Sequence, residues 1–444
     1  MLVQIAQLFL SLTILITLHE FGHFWFAKRF GCKVEKFYLF FDFLFPFPNI
    51  ANFALFKKKI GDTEYGLGWF PFGGYVSIAG MVDEQMDKEI IEKPAEPWEL
   101  RSKPAWQRLL VMMGGILVNF LLGIVIFWMA LLVWGKQTLP VTKLPHGLAV
   151  DSVAYKLGLR NGDYITSVDG KYVKSINRIP IELIINGGKT IEGVHANGQK
   201  FSITVTNDQK GIILKRLKKT GFIAPRILMP SVDSVSKLMY AANADIKSGD
   251  LIIKVNEQKI TFFDEFQGQL AKNAKGEVNL VILRNADTVK TKCKVNEDGQ
   301  IGIVVKDRTK IEPVKQSFNV LTALTQGTRD GLEQVAMRGK ELALLFTVKD
   351  AYKQVGGFST MAKQMSTTWD WQHFWMFTAL LSFGLAFMNF LPIPMLDGGY
   401  IMFILFEMIT GKKVSDKFIY YANQVGLFIV LALMIFANTD FLRD

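Results

Sequence analysis

Hydrophobic positions in this chain gather into blocks. Uninterrupted apolar runs occupy residues 2–30, 109–134, 374–391 and 418–438, each close to the ~20 residues that a helix needs to cross a bilayer. Charged residues concentrate between them. The pattern predicts a polytopic α-helical membrane protein with four transmembrane helices and a large soluble middle. Between 145 and 306 short β-rich runs alternate with turn signals. From Pro313 to Asp350, apolar residues such as Phe318, Leu321, Leu332 and Phe346 recur among polar ones. That predicts an amphipathic stretch within 313–370, either a tether lying along the membrane surface or a linker.

Residues 31–108 read neither as a span nor as an obvious domain. Within them, residues 64–80 carry aromatic and β-branched positions punctuated by glycine, which predicts a β-hairpin. A hairpin this apolar packs against the helices, dips into the membrane with its edges shielded, or lies as a loop on the membrane surface. In the second span, Gly114-Gly115 suits close helix packing. Asn119, its single strongly polar side chain, either bonds a neighbouring helix or helps to shape a site.

The soluble middle contains a pattern twice. Residues 154–171 and 244–259 each read as a small helix, a Gly-Asp turn, an alternating strand and a second turn. Both resemble the Gly-Asp-x-Ile-x-x-Val-(Asp/Asn)-Gly core of PDZ domains, although the second carries Glu257-Gln258 where Asp-Gly is usual. Two PDZ-like α+β domains are therefore expected near 142–222 and 223–308. Such folds either add a peptide to a sheet edge or act as spacers.

With 444 residues, the chain has room for two to four domains. Its net charge of +11 would suggest a nucleic-acid footprint if it were clustered on a domain, but twelve Lys and Arg lie from Lys28 to Arg108 and none lies before Lys28. This is a membrane-flanking distribution, and no nucleic-acid partner is expected. The positive-inside rule puts 31–108 in the cytoplasm and 135–370 outside, with Lys412, Lys413 and Lys417 marking a second cytoplasmic loop. A basic n-region and an Ala-x-Ala site are missing, so the first span is expected to stay. Cys32 and Cys293 then fall on opposite sides and do not pair.

The candidate chemistry lies inside the first apolar run. His19-Glu20-Phe-Gly-His23 puts three ionisable groups where the chain otherwise reads as lipid-spanning, and such groups are costly in a bilayer unless they serve a function. Two imidazoles four residues apart share one helix face and can hold one zinc ion. Glu20 lies beside the first of them, where its carboxylate can take a proton from water acidified by the metal. Zinc needs a third ligand. The position six after His23 is Arg29, and His146, His195 and His373 lie in or near the external region. Asp397 remains, in Asn389-Phe-Leu-Pro-Ile-Pro-Met-Leu-Asp-Gly-Gly399. Its two prolines break the helix, and irregular backbone at membrane depth is tolerated where it lines a protein site. The rival reading makes Asp397 a simple helix cap.

The ordered set of His19-Glu20-x-x-His23, Pro71-x-Gly-Gly-Tyr-Val76, Gly115-x-x-x-Asn119-Phe, the tandem modules and Asn389-x-x-Pro-x-Pro-x-Leu-Asp-Gly398 resembles the site-2 protease family of intramembrane zinc metalloproteases in its bacterial form. The resemblance covers nearly the whole chain. It implies zinc bound by His19, His23 and Asp397, with Glu20 as general base and acid. It also implies that the Gly73, Gly74, Tyr75 and Val76 segment pairs with an unfolded substrate strand, that Asn389 helps to hold it, and that the PDZ-like modules filter substrates by external size. The implied substrates are transmembrane segments of single-span proteins, of the anti-sigma-factor or remnant-signal-peptide kind, cut within the inner membrane near its cytoplasmic side. Gly115-Ile116 and Gly357-Phe358 replace Gly-Pro pairs usual in the family, which bears on local backbone geometry and not on the ligands. Two rivals exist. A metal transporter would spread its acidic and His residues over several depths, and a PDZ scaffold would leave the His-Glu-x-x-His and the Pro-broken Asp loop without a role.

Overall fold

The computed structural model describes residues 1–44, 50–71, 73–81, 94–219, 221–236, 239–309 and 311–439. They form two compact units, one of Met1–Lys136, Ser317–Leu342 and Val355–Asp444, the other of Gln137–Gln316 and Ala343–Gln354.

The long helices of the first unit are α1 (Leu2–Arg29), α2 (Ala105–Val133), α3 (Val320–Thr347), which runs on into the second unit, α4 (Trp371–Phe390), α5 (Asp397–Thr410) and α6 (Asp416–Asn438). Among the described residues α1, α2, α4 and α6 are long and apolar enough to cross a membrane. Each begins and ends within about one helical turn of its apolar run. Glycine sets how closely α1 and α2 approach. A methyl group on Gly114 would sit 2.5 Å from the carbonyl oxygen of Gly22, and one on Gly115 would sit 2.5 Å from Nε2 of His23. The two backbones therefore touch. Gly327 and Gly331 bring α3 against α2 and α4 in the same way, facing the backbone of Trp128 and the ring of Phe383.

Helix α4 is capped at its start by Asp370, which accepts from the His373 amide at 3.0 Å. It stops before Pro392 and Pro394, since a proline removes a helix donor and pushes the residue before it into extended backbone. Leu391 is extended accordingly. Helix α5 restarts at Asp397 and ends at Gly411 in the left-handed region.

Residues 64–80 are not a hairpin. The strands β1 (Val34–Leu39), β2 (Ala54–Ile60), β3 (Thr63–Gly68) and β4 (Tyr75–Ile78) form one sheet in the order β2-β3-β1-β4. Strand β1 lies between β3 and β4, parallel to the first through Lys36↔Glu64 and antiparallel to the second through Phe37↔Val76. Its side chains claim the slot a hairpin would close. The Tyr38 ring fills the space over Gly66, and its hydroxyl donates to Glu64 Oε1 at 2.7 Å. One edge of β4 remains unpaired by any strand among the described residues.

The second unit holds two modules, each with its own apolar core, one around Leu148, Ile165, Leu183 and Ile191, the other around Ile252, Phe266, Leu280 and Ile282. The repeated motif folds alike in both. Asp163 and Asp250, each following a glycine, are fully buried. Asp163 meets Nδ1 of His195 at 2.8 Å, and Asp250 takes two hydrogen bonds of 2.8 Å from Arg284. The second turn is Asp169-Gly170 in one module and Asn256-Glu257 in the other, with φ of 48°, 71°, 47° and 58°. The irregularity is thus Glu257 in a glycine position, one residue earlier than Glu257-Gln258. The boundary also moves. Strand Ile223–Pro225, expected to open the second module, pairs with Leu148–Val150 and closes the first.

Candidate active site

Helix α1 brings Nε2 of His19 and Nε2 of His23 to 3.2 Å from each other. Asp397, from the other end of the chain, places Oδ2 3.3 Å from the first and 3.4 Å from the second. Atoms held tetrahedrally about 2.0–2.1 Å from one zinc ion are separated by about 3.3–3.4 Å, so the triangle has the dimensions of three zinc ligands. The donor set fits too. Oδ2 of Asp397 is buried and accepts no hydrogen bond. Three potential ligand atoms converging at this spacing invite a cation. Helix α5 takes Leu396 as its cap residue, and Oδ2 of Asp397 in the first helical position is turned to the two imidazoles.

Each imidazole is held from behind. Nδ1 of His23 lies 2.8 Å from the carbonyl oxygen of Val111 on α2. A carbonyl only accepts, so the proton is on Nδ1 and Nε2 keeps its lone pair. The carboxamide of Asn119 lies 3.2 Å from Nδ1 of His19, itself fully buried with Oδ1 unbonded. The nearer amide atom is Nδ2; with amide nitrogen and oxygen exchanged, the oxygen would face the ring and accept an Nδ1 proton. Asn119 thus bonds a neighbouring helix, and does so at a residue of the cluster. Its backbone carbonyl also accepts from Ser382 Oγ at 2.7 Å, which ties α2 to α4.

The cluster opens on a cavity of about 630 Å³ lined by His19, Glu20, His23, Gly73, Gly74, Tyr75, Val76, Asn389 and Asp397 together with apolar side chains. Every metal-ligating, catalytic and substrate-contact candidate named from the resemblance lines this one space. They reach it differently. Tyr75 is turned into an aromatic cluster with Tyr38, Phe41 and Phe43, its hydroxyl donating to Asp42 at 2.9 Å, so it offers backbone rather than ring. Gly73 and Gly74 run close to Phe41 and to the Tyr38 carbonyl, where a Cβ would collide. The carboxamide of Asn389 stands 3.1 Å from Nε2 of His19, at the rim of the ligand triangle.

Two contributors escaped the sequence. Val111 acts through a backbone carbonyl, which no side-chain pattern marks. Asn423, buried on α6 and lining the same cavity, left one trace, a carboxamide inside an otherwise apolar run.

The family model for peptidase family M50 matches residues 7–433. The chain is 26% identical to Protease RseP of Yersinia pestis, with 97% of this chain and 96% of the relative covered. It is 26% identical to the regulator of sigma-E protease RseP of Escherichia coli over the same shares. A Rickettsia conorii protein designated a zinc metalloprotease is 27% identical, covering 100% of this chain and 99% of its own length.

Proposed function

The chain belongs to peptidase family M50 and is a zinc metalloprotease, and on that premise we propose that it hydrolyses peptide bonds within the transmembrane segments of single-span membrane proteins. One observation carries this reading, the convergence of His19, His23 and Asp397 atoms at zinc-ligand spacing on an apolar helix long enough to span a bilayer.

His19, His23 and Asp397 would hold the ion, which supplies Lewis acidity for water and for the scissile carbonyl. Glu20 takes the proton of the attacking water and returns it to the leaving amide nitrogen, acting as base and then as acid. The Val111 carbonyl and Asn119 fix the tautomers of the two imidazoles. The outer edge of β4, paired by no strand among the described residues, receives the substrate as an added strand. A transmembrane helix hides its peptide bonds in its own ladder, and strand pairing replaces those bonds as the helix opens. Asn389 bonds the extended substrate beside the ligands. The two modules of the second unit are PDZ-like domains that screen substrates by the size of their external part.

We place the protein in the bacterial inner membrane, with the modules extracytoplasmic and the site near the cytoplasmic side, as the Lys and Arg distribution indicates. Substrates of the anti-sigma-factor and remnant-signal-peptide kind fit a cavity that is largely apolar. The test is cleavage of a single-span substrate in proteoliposomes by zinc-loaded and chelator-stripped protein. Equal cleavage in both would overturn the reading.

A further inference from the structure

The loop that delivers Asp397 does not hold itself. Between Pro394 and Asp397 the backbone passes through Met395 at φ 81°, a left-handed conformation that residues with a side chain avoid. Such a conformation persists where the surroundings over-determine it. Here the surroundings come from α6. Asn423, 1% exposed, accepts the Met395 amide on Oδ1 at 3.2 Å and donates from Nδ2 to the Tyr400 hydroxyl at 2.6 Å. Tyr400 lies in the first turn of α5, which Asp397 begins. One carboxamide therefore grips the chain on both sides of Asp397. One turn further along α6, Gly426 lies against the Pro394 carbonyl so closely that a Cβ would overlap it. The helix is seated on the loop backbone.

We propose that Asn423 is a positioning residue for Asp397, its carboxamide oxygen holding the Met395 amide and thereby aiming the Asp397 carboxylate at the two imidazoles. The inference rests on the reading of Asp397 as a zinc ligand. Oδ2 of Asp397 reaches the triangle only if the residue two positions before it keeps its turn, and the bond that fixes this turn comes from a span far along the chain. Asn423 lines the cavity but hydrogen-bonds Met395 and Tyr400 rather than the ligand atoms, so it acts on Asp397 through the loop.

The experiment measures zinc affinity of the purified full-length protein by chelator competition, with peptide cleavage recorded in parallel. Asn423→Asp keeps an acceptor oxygen for Met395 and loses the donor to Tyr400. Asn423→Leu loses both. The expected result is zinc binding at least about tenfold weaker in Asn423→Leu, the scale of a lost outer-shell contact, and binding within about threefold of the parent in Asn423→Asp. The kcat of the leucine variant should fall with KM little changed. A purely structural role predicts the reverse order, because a buried carboxylate disturbs packing more than leucine does. Zinc bound normally by Asn423→Leu, or equally weakened binding in both variants, would overturn the proposal. Should the leucine variant fail to insert, Asn423→Ser, too short to reach Met395, reads the same question. Asp397→Ala separates the two levels. Retention of zinc by that variant removes the ligand reading and this proposal with it, whereas its loss beside an unaffected Asn423→Leu removes this proposal alone.

Discussion

Val76 on β4 and Glu20 on α1 line one cavity beside the triangle of His19, His23 and Asp397. A strand added along the outer edge of β4 would therefore run past the proposed base.

Glu20 should be separable from metal binding. Glu20→Gln is expected to retain zinc and to lose cleavage by at least about 10²–10⁴-fold, the usual contribution of a positioned base. His23→Ala and Asp397→Ala should lose both. Metal content and turnover measured on the same preparations decide it, and normal cleavage by the glutamine variant would refute the mechanism.

Asn119→Ala removes the group behind His19 without touching the ligand nitrogen. Zinc affinity should fall by about 10–100-fold, as for other outer-shell partners. A competition titration that finds no change would leave Asn119 as a helix-packing residue only.

Proline at Val76 or Ile78 deletes a donor from the β4 edge and should lower turnover well below that of alanine at the same position. Comparison of the two substitutions at each site isolates the backbone from the side chain. Wild-type turnover in all four would take β4 out of the substrate's path.

Removal of residues 145–306 tests the size filter. Cleavage of short-tailed substrates should continue and cleavage of long-tailed ones should appear. Loss of short-tailed cleavage in a deletion that still inserts and binds zinc would instead assign the modules a recruiting role.

The second module carries a pH signature of its own. Burial pushes the Asp250 carboxyl up, yet its hydrogen bonds from Arg284 and from the Lys247 amide outweigh this and hold it below the usual value. A depressed carboxyl stabilises the fold at pH values above its unfolded pKa of about 3.9, and the contribution disappears as pH drops through the folded value. Asn in place of Asp250 should therefore lower the urea midpoint of the 137–316 segment at pH 7, with the gap closing below about pH 4. A gap independent of pH would mean that the charge is not what stabilises.

The cluster of His19, His23 and Asp397 was legible because its signals are local. Helical spacing put His19 and His23 on one face, and two prolines in an apolar run marked the break before Asp397. The sheet was not. Strand β1 joins β3 and β4 through non-local pairing, parallel on one side, and neither the glycines of 64–80 nor their alternation shows that a third strand will enter. The module boundary failed for the same reason, since Ile223–Pro225 returns to pair with a strand made some seventy residues earlier. Asn119 shows the limit from the other direction. Its burial was foreseeable, while its partner depended on Gly114 and Gly115 letting α2 press against α1.

The proposed ligands are split between the first and the last third of the chain, and this orders events during synthesis. A ribosome that has delivered α1 has made two imidazoles and no protease. Until residue 397 has left the exit tunnel and α6 has entered the bilayer behind it, the nascent chain cannot hold the metal on three sides. A product truncated before residue 397 would lack the third proposed ligand. On this reading hydrolytic capacity cannot precede the synthesis of Asp397.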